Sequence, residues 1–176
     1  MNTDSKLMDM LTGYAAAHQH PFNVFMHMIG IPTIMLGALI PMTWLEFALP
    51  GFSVNLAHIV ILGFFLFYLT LDVMFAIVFL VAALLLEMLA GSIGQLPLAV
   101  SGSIAAAAFF GGYAGQFVGH YVERSMPVLV KHPIQANLAA PFFTVVELFK
   151  IAGLRKDLFD IVQQQIAERR AAEQAG

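Results

Sequence analysis

The sequence contains no cysteine, which excludes disulfides, zinc–thiolate sites and cysteine nucleophiles outright. Charge is also scarce: Asp, Glu, Lys and Arg make up 11% of the 176 residues, against roughly 25% in ordinary soluble domains. Between residues 56 and 86 the only formal charge is Asp72, and between 93 and 119 there is none. A soluble core does not require uncharged runs of that length. A net charge of −3, with no basic patch outside the C-terminal tail, argues against a nucleic-acid partner. A secretory signal is missing too, because residues 1–23 hold two aspartates and a lysine and no small-residue cleavage motif after an apolar core. The N-terminus therefore reads as mature sequence. With no linker, low-complexity tract or internal repeat, residues 1–176 read as a single integral membrane domain.

What is abundant is apolar surface. Hydrophobic residues make up 60% of the chain and the mean hydropathy is +0.82. The fold class expected is all-α, a polytopic membrane helical bundle of about four transmembrane helices plus interfacial helices. Residues 1–28 form a cytoplasmic, histidine-bearing helix in this reading, and 29–118 hold the four spans, at about 29–49, 53–71, 72–89 and 98–118. The first contains Pro32 and Pro41, which membrane helices tolerate. The fourth is rich in Gly, Ala and Ser, which allow close helix packing where lipid supplies no hydrophobic drive between helices, so it is expected at the centre. Residues 119–153 hold a histidine and carboxylate motif and then, at 135–151, an apolar stretch interrupted by Pro141, Glu147 and Lys150, expected as re-entrant or interfacial. Residues 154–176 read as a cytoplasmic tail helix, with apolar positions at 154, 158, 161, 162 and 166.

Four spans return the chain to its starting side. Lys6 precedes the first, and Arg124, Lys131, Lys150, Arg155, Lys156, Arg169 and Arg170 follow the fourth, while the short loops on the opposite side carry no lysine or arginine. The positive-inside rule makes the basic side cytoplasmic, with both termini there, and a bacterial inner membrane is the expected location.

This topology brings histidines from the two ends of the bundle to one face. If a helix starts at Pro21, Asn23 and His27 share a face at i and i+4, and His20 projects from just before it. His18 is out of phase in a continuous helix, but the break at HQHP could fold it back toward His27. In QFVGHYVERSMP, Gln116, His120 and Glu123 fall at i, i+4 and i+7, one stripe of a helix. Histidines joined by a carboxylate suit a borderline divalent metal such as iron or zinc, and spacing does not choose between them. The alternative is a metal-free lipid-binding or structural membrane protein with interfacial histidines. His58 is a further candidate inside the second span, whereas His132 lies in an exposed VKHP. Asp72 at a turn, Glu87 near a helix end and Glu147 beside Lys150 are more simply interfacial charges. The methionines and phenylalanines are spread through the spans as packing residues.

The combination of Tyr14, His18, Asn23 and His27 followed by GIP, then QFVGHYVE and Pro127, then APFF and Glu147, resembles a small membrane-protein family. That family, formerly a domain of unknown function, includes the fungal endoplasmic reticulum 2-hydroxy fatty acid dioxygenase. The likeness covers about residues 7–150. It implies an iron(II)-dependent dioxygenase of fatty acid α-oxidation, shortening a 2-hydroxy fatty acid by one carbon with dioxygen at the membrane interface. His18, His27 and His120 are carried over as iron ligands, with His20 open as a fourth. In the same reading Glu123 orients a ligating imidazole or binds the metal, and Asn23 and Gln116 position substrate or water. Tyr14 could hydrogen-bond to a ligand or anchor at the headgroups.

Overall fold

The computed structural model describes residues 6–16 and 18–175, with the side chains of Lys131, Arg169, Arg170 and 172–175 left outside the description. The expectations that rest on residues 1–5 and on those three basic side chains therefore lie outside the described residues. Among the described residues eight helices and one small hairpin follow in order: α1 (Lys6–Ala16), α2 (Pro21–Thr43), β1 (Glu46–Leu49), β2 (Phe52–Asn55), α3 (Leu56–Leu69), α4 (Val73–Gly94), α5 (Leu98–Glu123), α6 (Val128–Lys131), α7 (Pro133–Ile151) and α8 (Lys156–Ala175).

Local chemistry sets the helix starts. Pro21 opens α2, where its missing N–H costs nothing, and the His20 ring caps the helix by accepting from Phe22 N at 3.2 Å. Asn55 and His58 form a reciprocal capping box at α3: Asn55 Oδ1 accepts from His58 N at 3.0 Å and His58 Nδ1 accepts from Asn55 N at 3.3 Å. Asp72 caps α4 by accepting from Phe75 N at 3.1 Å.

The first span differs in its bounds from the expected 29–49. The cap at His20 starts it earlier, and residues 46–55 fold as an antiparallel hairpin that pairs Glu46 with Asn55 and Leu49 with Phe52. The loop is Pro50–Gly51, and Gly51 sits at φ 91°, which only glycine adopts cheaply. The hairpin also shortens the second apolar segment, leaving α3 with 14 residues, ~21 Å against the ~30 Å of a hydrocarbon core. By length and composition α2, α4, α5 and α7 are the helices able to cross a membrane.

The closest helix pair is antiparallel α2 and α5, joined along a seam of small residues that recurs every seven positions. Gly119 leaves room for Asn23, Gly30 packs on the backbone of Gly112, and Gly37 packs on the backbone of Ala105 and Phe109. A Cβ at Gly37 would lie 2.5 Å from Phe109 N and 2.7 Å from Ala105 O, so this approach requires glycine. The small-residue span was expected at the centre of the bundle; instead α5 packs closely on α2 alone and is the least buried of the long apolar helices, and α2, in contact with α3, α4, α5 and α7, holds the centre.

Helices α2 to α5 alternate in direction. His27, the α3–α4 turn at Asp72 and His120 consequently share one end, while the hairpin, Trp44 and Gly94 share the other. Although α7 is long and apolar, both of its termini lie at the histidine end. It starts just after α6, and it stops just before Arg155, whose guanidinium pairs with Asp72 and lies 4.8 Å above the Phe75 ring. Phe142 packs on Tyr68 and Phe75, and Phe149 on Phe75, with ring centroids 4.8 to 5.5 Å apart. The segment runs across the histidine end of the bundle. Helices α1 and α8 pack together over the same end, burying Leu7, Met8 and Leu11 of one and Leu158, Val162 and Ile166 of the other, with Thr12 Oγ1 donating to Gln165 Oε1 at 3.0 Å. Leu62, Leu66, Ile77, Leu85, Met88 and Phe110 are exposed on the outside of the bundle. A soluble protein would not leave so continuous an apolar surface in water, and the chain is an integral polytopic membrane protein.

Candidate metal centre

Three histidines converge at the capped end. His18 sits in the break between α1 and α2, His27 two turns into α2, and His120 near the end of α5, all buried, with one ligand atom from each within 4.8 Å of the others. Among the described residues this is the one group of His, Asp or Glu side chains placed to hold a metal ion.

Second partners fix the tautomers. His18 Nδ1 donates to the Tyr14 carbonyl at 2.7 Å and His27 Nδ1 donates to the Asn23 carbonyl at 2.9 Å, because a carbonyl can only accept. Both Nε2 atoms therefore carry lone pairs, and they face each other at 3.1 Å. Two buried lone pairs at that distance repel, and a cation between them turns the repulsion into attraction. Nitrogens bound to one ion at ~2.1 Å lie ~3.0–3.4 Å apart, depending on the angle at the ion, so the spacing fits a shared metal. His120 Nδ1 meets Ser125 Oγ at 2.9 Å, leaving its Nε2 as the third donor.

The environment keeps the set neutral. Burial, then repulsion from His27, lowers the pKa of His18 from 6.5 to about 3, so its lone pair is available at any physiological pH. The Tyr14 ring stacks on His18, with centroids 4.1 Å apart and planes 6° from parallel, and burial pushes its phenol pKa upward. Phe143 packs beside both rings, 4.4 Å from Tyr14 and 5.4 Å from His18.

Glu123 is near this set but does not enter it. Its Oε1 accepts from Gln19 N at 2.7 Å and His20 N at 3.3 Å, and its Oε2 accepts from the side-chain amide of Asn23. It therefore anchors the chain at the start of α2 and holds the side-chain amide of Asn23, whose main-chain carbonyl receives the His27 imidazole proton. Asn23 is fully buried against Gly119. The sequence-based expectation of Glu123 directly on a ligating ring, and of Asn23 on substrate, thus meets a different arrangement: both face the α2 start, where unpaired helix N–H groups need an acceptor. His20 is exposed and spends its ring on the α2 cap, outside the converging set. His58 lies at the far end of the bundle, 3.6 Å from Glu87, whose Oε1 accepts from Asn55 Nδ2 at 2.8 Å. Glu147 pairs with Lys150 at 3.2 Å.

Gln116, by contrast, lines a cavity of about 210 Å³ that opens from the three histidines. The remaining walls are mostly apolar, drawn from α2, α3, α4, α5 and α7, with Tyr14, Tyr113 and Asn137 as further polar groups. Tyr113 donates to Asn137 Oδ1 at 2.7 Å, tying α5 to α7.

Residues 5–151 match the family described as 2-hydroxy-palmitic acid dioxygenase Mpo1-like. The chain belongs to this family. No curated protein and no solved structure matches it. For an Mpo1-like chain the tri-histidine geometry fits a mononuclear iron(II) site and metal-dependent enzymatic activity.

One residue of this centre escaped sequence reasoning. Ser125 reaches His120 because Arg124 ends α5 in the left-handed region, at φ 57°, turning the chain so that Ser125 N also donates to His120 O at 3.1 Å. Glycine or asparagine there would have signalled the turn, whereas arginine does not.

Proposed function

We propose that this chain is an iron(II)-dependent dioxygenase that shortens 2-hydroxy fatty acids by one carbon at the membrane interface. The observation that carries the reading is a buried three-histidine set opening into an apolar cavity inside a membrane bundle. His18, His27 and His120 hold the ion. Bound there, iron(II) supplies open coordination positions and one-electron chemistry for the reaction of dioxygen with a 2-hydroxy acid.

The chain's own residues do the rest. The Tyr14 and Asn23 carbonyls hold the His18 and His27 protons on Nδ1 and so keep both Nε2 atoms directed at the ion. Glu123 secures that geometry by fixing Asn23 and the backbone at 19 and 20. Gln116, on the cavity wall one helical turn from His120, orients the hydroxyl and carboxylate of the substrate. The apolar walls take the acyl chain and exclude water from the reacting carbons. Loss of C1 as carbon dioxide, with C2 becoming the new carboxylate and one water formed, supplies the four electrons that one dioxygen accepts. No external reductant is needed.

The polar head then sits at the end covered by α1, α7 and α8. We assign that end to the cytoplasm, since Lys6, Arg124, Lys150, Arg155 and Lys156 gather there, and the membrane to a bacterial inner membrane.

The test is oxygen uptake by iron-loaded protein in nanodiscs with 2-hydroxypalmitate. One dioxygen consumed per pentadecanoate formed, abolished in His120→Ala, is expected. Pentadecanoate formed without oxygen uptake, or no reaction with iron bound, would overturn the proposal.

A further inference from the structure

The cavity does not end blindly. Along α2 its wall runs from His27 through Ile31, Met35 and Ala38 to Met42, ~22 Å of helix. Beyond lies a second apolar hollow, shallow and open on the outside of the bundle, beside Trp44 and Gly102. Ala38, Met42 and Phe109 line both spaces. They are the groups that separate them.

The geometry points to Ala38, Met42 and Phe109 as the partition that sets the length of acyl chain the site accepts. This rests on the proposed function, which puts the substrate head at the histidines. An extended chain advances ~1.25 Å per methylene, from bonds of ~1.5 Å at near-tetrahedral angles. The distance to Met42 therefore holds ~17 carbons, a common membrane acyl length. The partition is built of unlike parts. Ala38 has almost no side chain, so the channel stays open past it. Met42, unbranched and flexible, makes a stop that yields locally, and Phe109 supplies a flat wall from the opposite helix. Ala38 lies one turn of α2 before Met42, ~6 Å or about five carbons nearer the head.

The experiment measures kcat/KM and binding for saturated 2-hydroxy acids from dodecanoate to docosanoate, in wild type, Ala38→Phe and Met42→Ala, each in nanodiscs. In the wild type, kcat/KM is expected to stay level with chain length, because lipid and cavity are equally apolar to a methylene, until a break near the length set by Met42. Ala38→Phe is expected to move the break about five carbons shorter and to leave the shorter acids unaffected. Met42→Ala is expected to move it longer by about three carbons, as the tail passes into the second hollow. A uniform loss at all lengths in a folded Ala38→Phe, or an unmoved break in Met42→Ala, would overturn the inference. Should Ala38→Phe not fold, Met42→Ala decides alone, since it removes atoms and gains a function. The same series is read by displacement of a fluorescent fatty acid, with acids lacking the 2-hydroxyl included. A length break there without turnover at any length would refute the proposed chemistry and keep the partition. Turnover without a break would do the reverse.

Discussion

Replacing Glu123 with alanine removes three interactions at once, and none of them is with a metal ligand's ring. Its carboxylate accepts from two backbone N–H groups, at 2.7 and 3.3 Å, and from the Asn23 amide, all at the positive end of the α2 dipole. The backbone bonds are exposed and worth about half of a buried charged one, so the total loss is ~2–3 kcal/mol. For a chain of this size that lowers the unfolding temperature by ~5–10 °C. The functional consequence runs through Asn23. Once its side chain is released the first turn of α2 loses its anchor; the main-chain carbonyl of Asn23, which accepts the His27 proton, shifts with that turn, and disturbing such an outer partner weakens metal affinity at the low end of ~10–100-fold. The assay is anaerobic iron titration against a competing chelator, paired with thermal unfolding of the metal-free protein. Glu123→Gln should fall between, because its oxygen still serves both N–H groups while its amide opposes the Asn23 donor. Unchanged iron affinity in a Glu123→Ala protein that unfolds at lower temperature would refute the link from Glu123 to His27. Unchanged values of both would refute the capping role as well.

Gly37→Ala should destabilise the bundle by ~1–3 kcal/mol, because the new methyl meets the rigid backbone of α5 at 105 and 109, whereas Gly111→Ala, with nothing within 4 Å of its Cβ, should be neutral or stabilising in the same denaturation series. The metal-free protein should lose stability as pH falls from 6.5 toward 3. His18 has its folded pKa lowered to about 3, so the unfolded chain binds more protons in that window, with a slope of up to ~1.4 kcal/mol per pH unit. A flat stability profile across that range would contradict the buried neutral ring. Arg155→Ala should cost ~1–2 kcal/mol by leaving the half-buried Asp72 without its guanidinium, and iron affinity should be unchanged because the pair lies on the α3–α4 turn.

The sequence made the histidine convergence legible because the physics was local. Pro21 starts a helix, the residues before it break from the preceding one, and an even number of spans returns His120 to the same end. The hairpin at 46–55 was hidden by composition. Phe47, Leu49 and Phe52 extend an apolar window, and the Pro50–Gly51 turn signal sits within it. Glu123 was legible as a partner of the site but not in its contacts, because i+7 spacing gives a face and not a reach. Its side chain extends past His120 to the open start of α2, a neighbour that only the tertiary pairing of α2 with α5 supplies. Ser125 depends on a left-handed arginine, for which sequence offers no signal.

Metal content tests the central claim most directly. Protein purified without oxygen would be assayed for iron, zinc, manganese and copper, in wild type and in His18→Ala, His27→Ala and His120→Ala. About one iron per chain, lost in each folded variant, is the expected result. An intact wild type with no metal above background, or with metal that survives all three substitutions, would contradict a three-histidine iron centre.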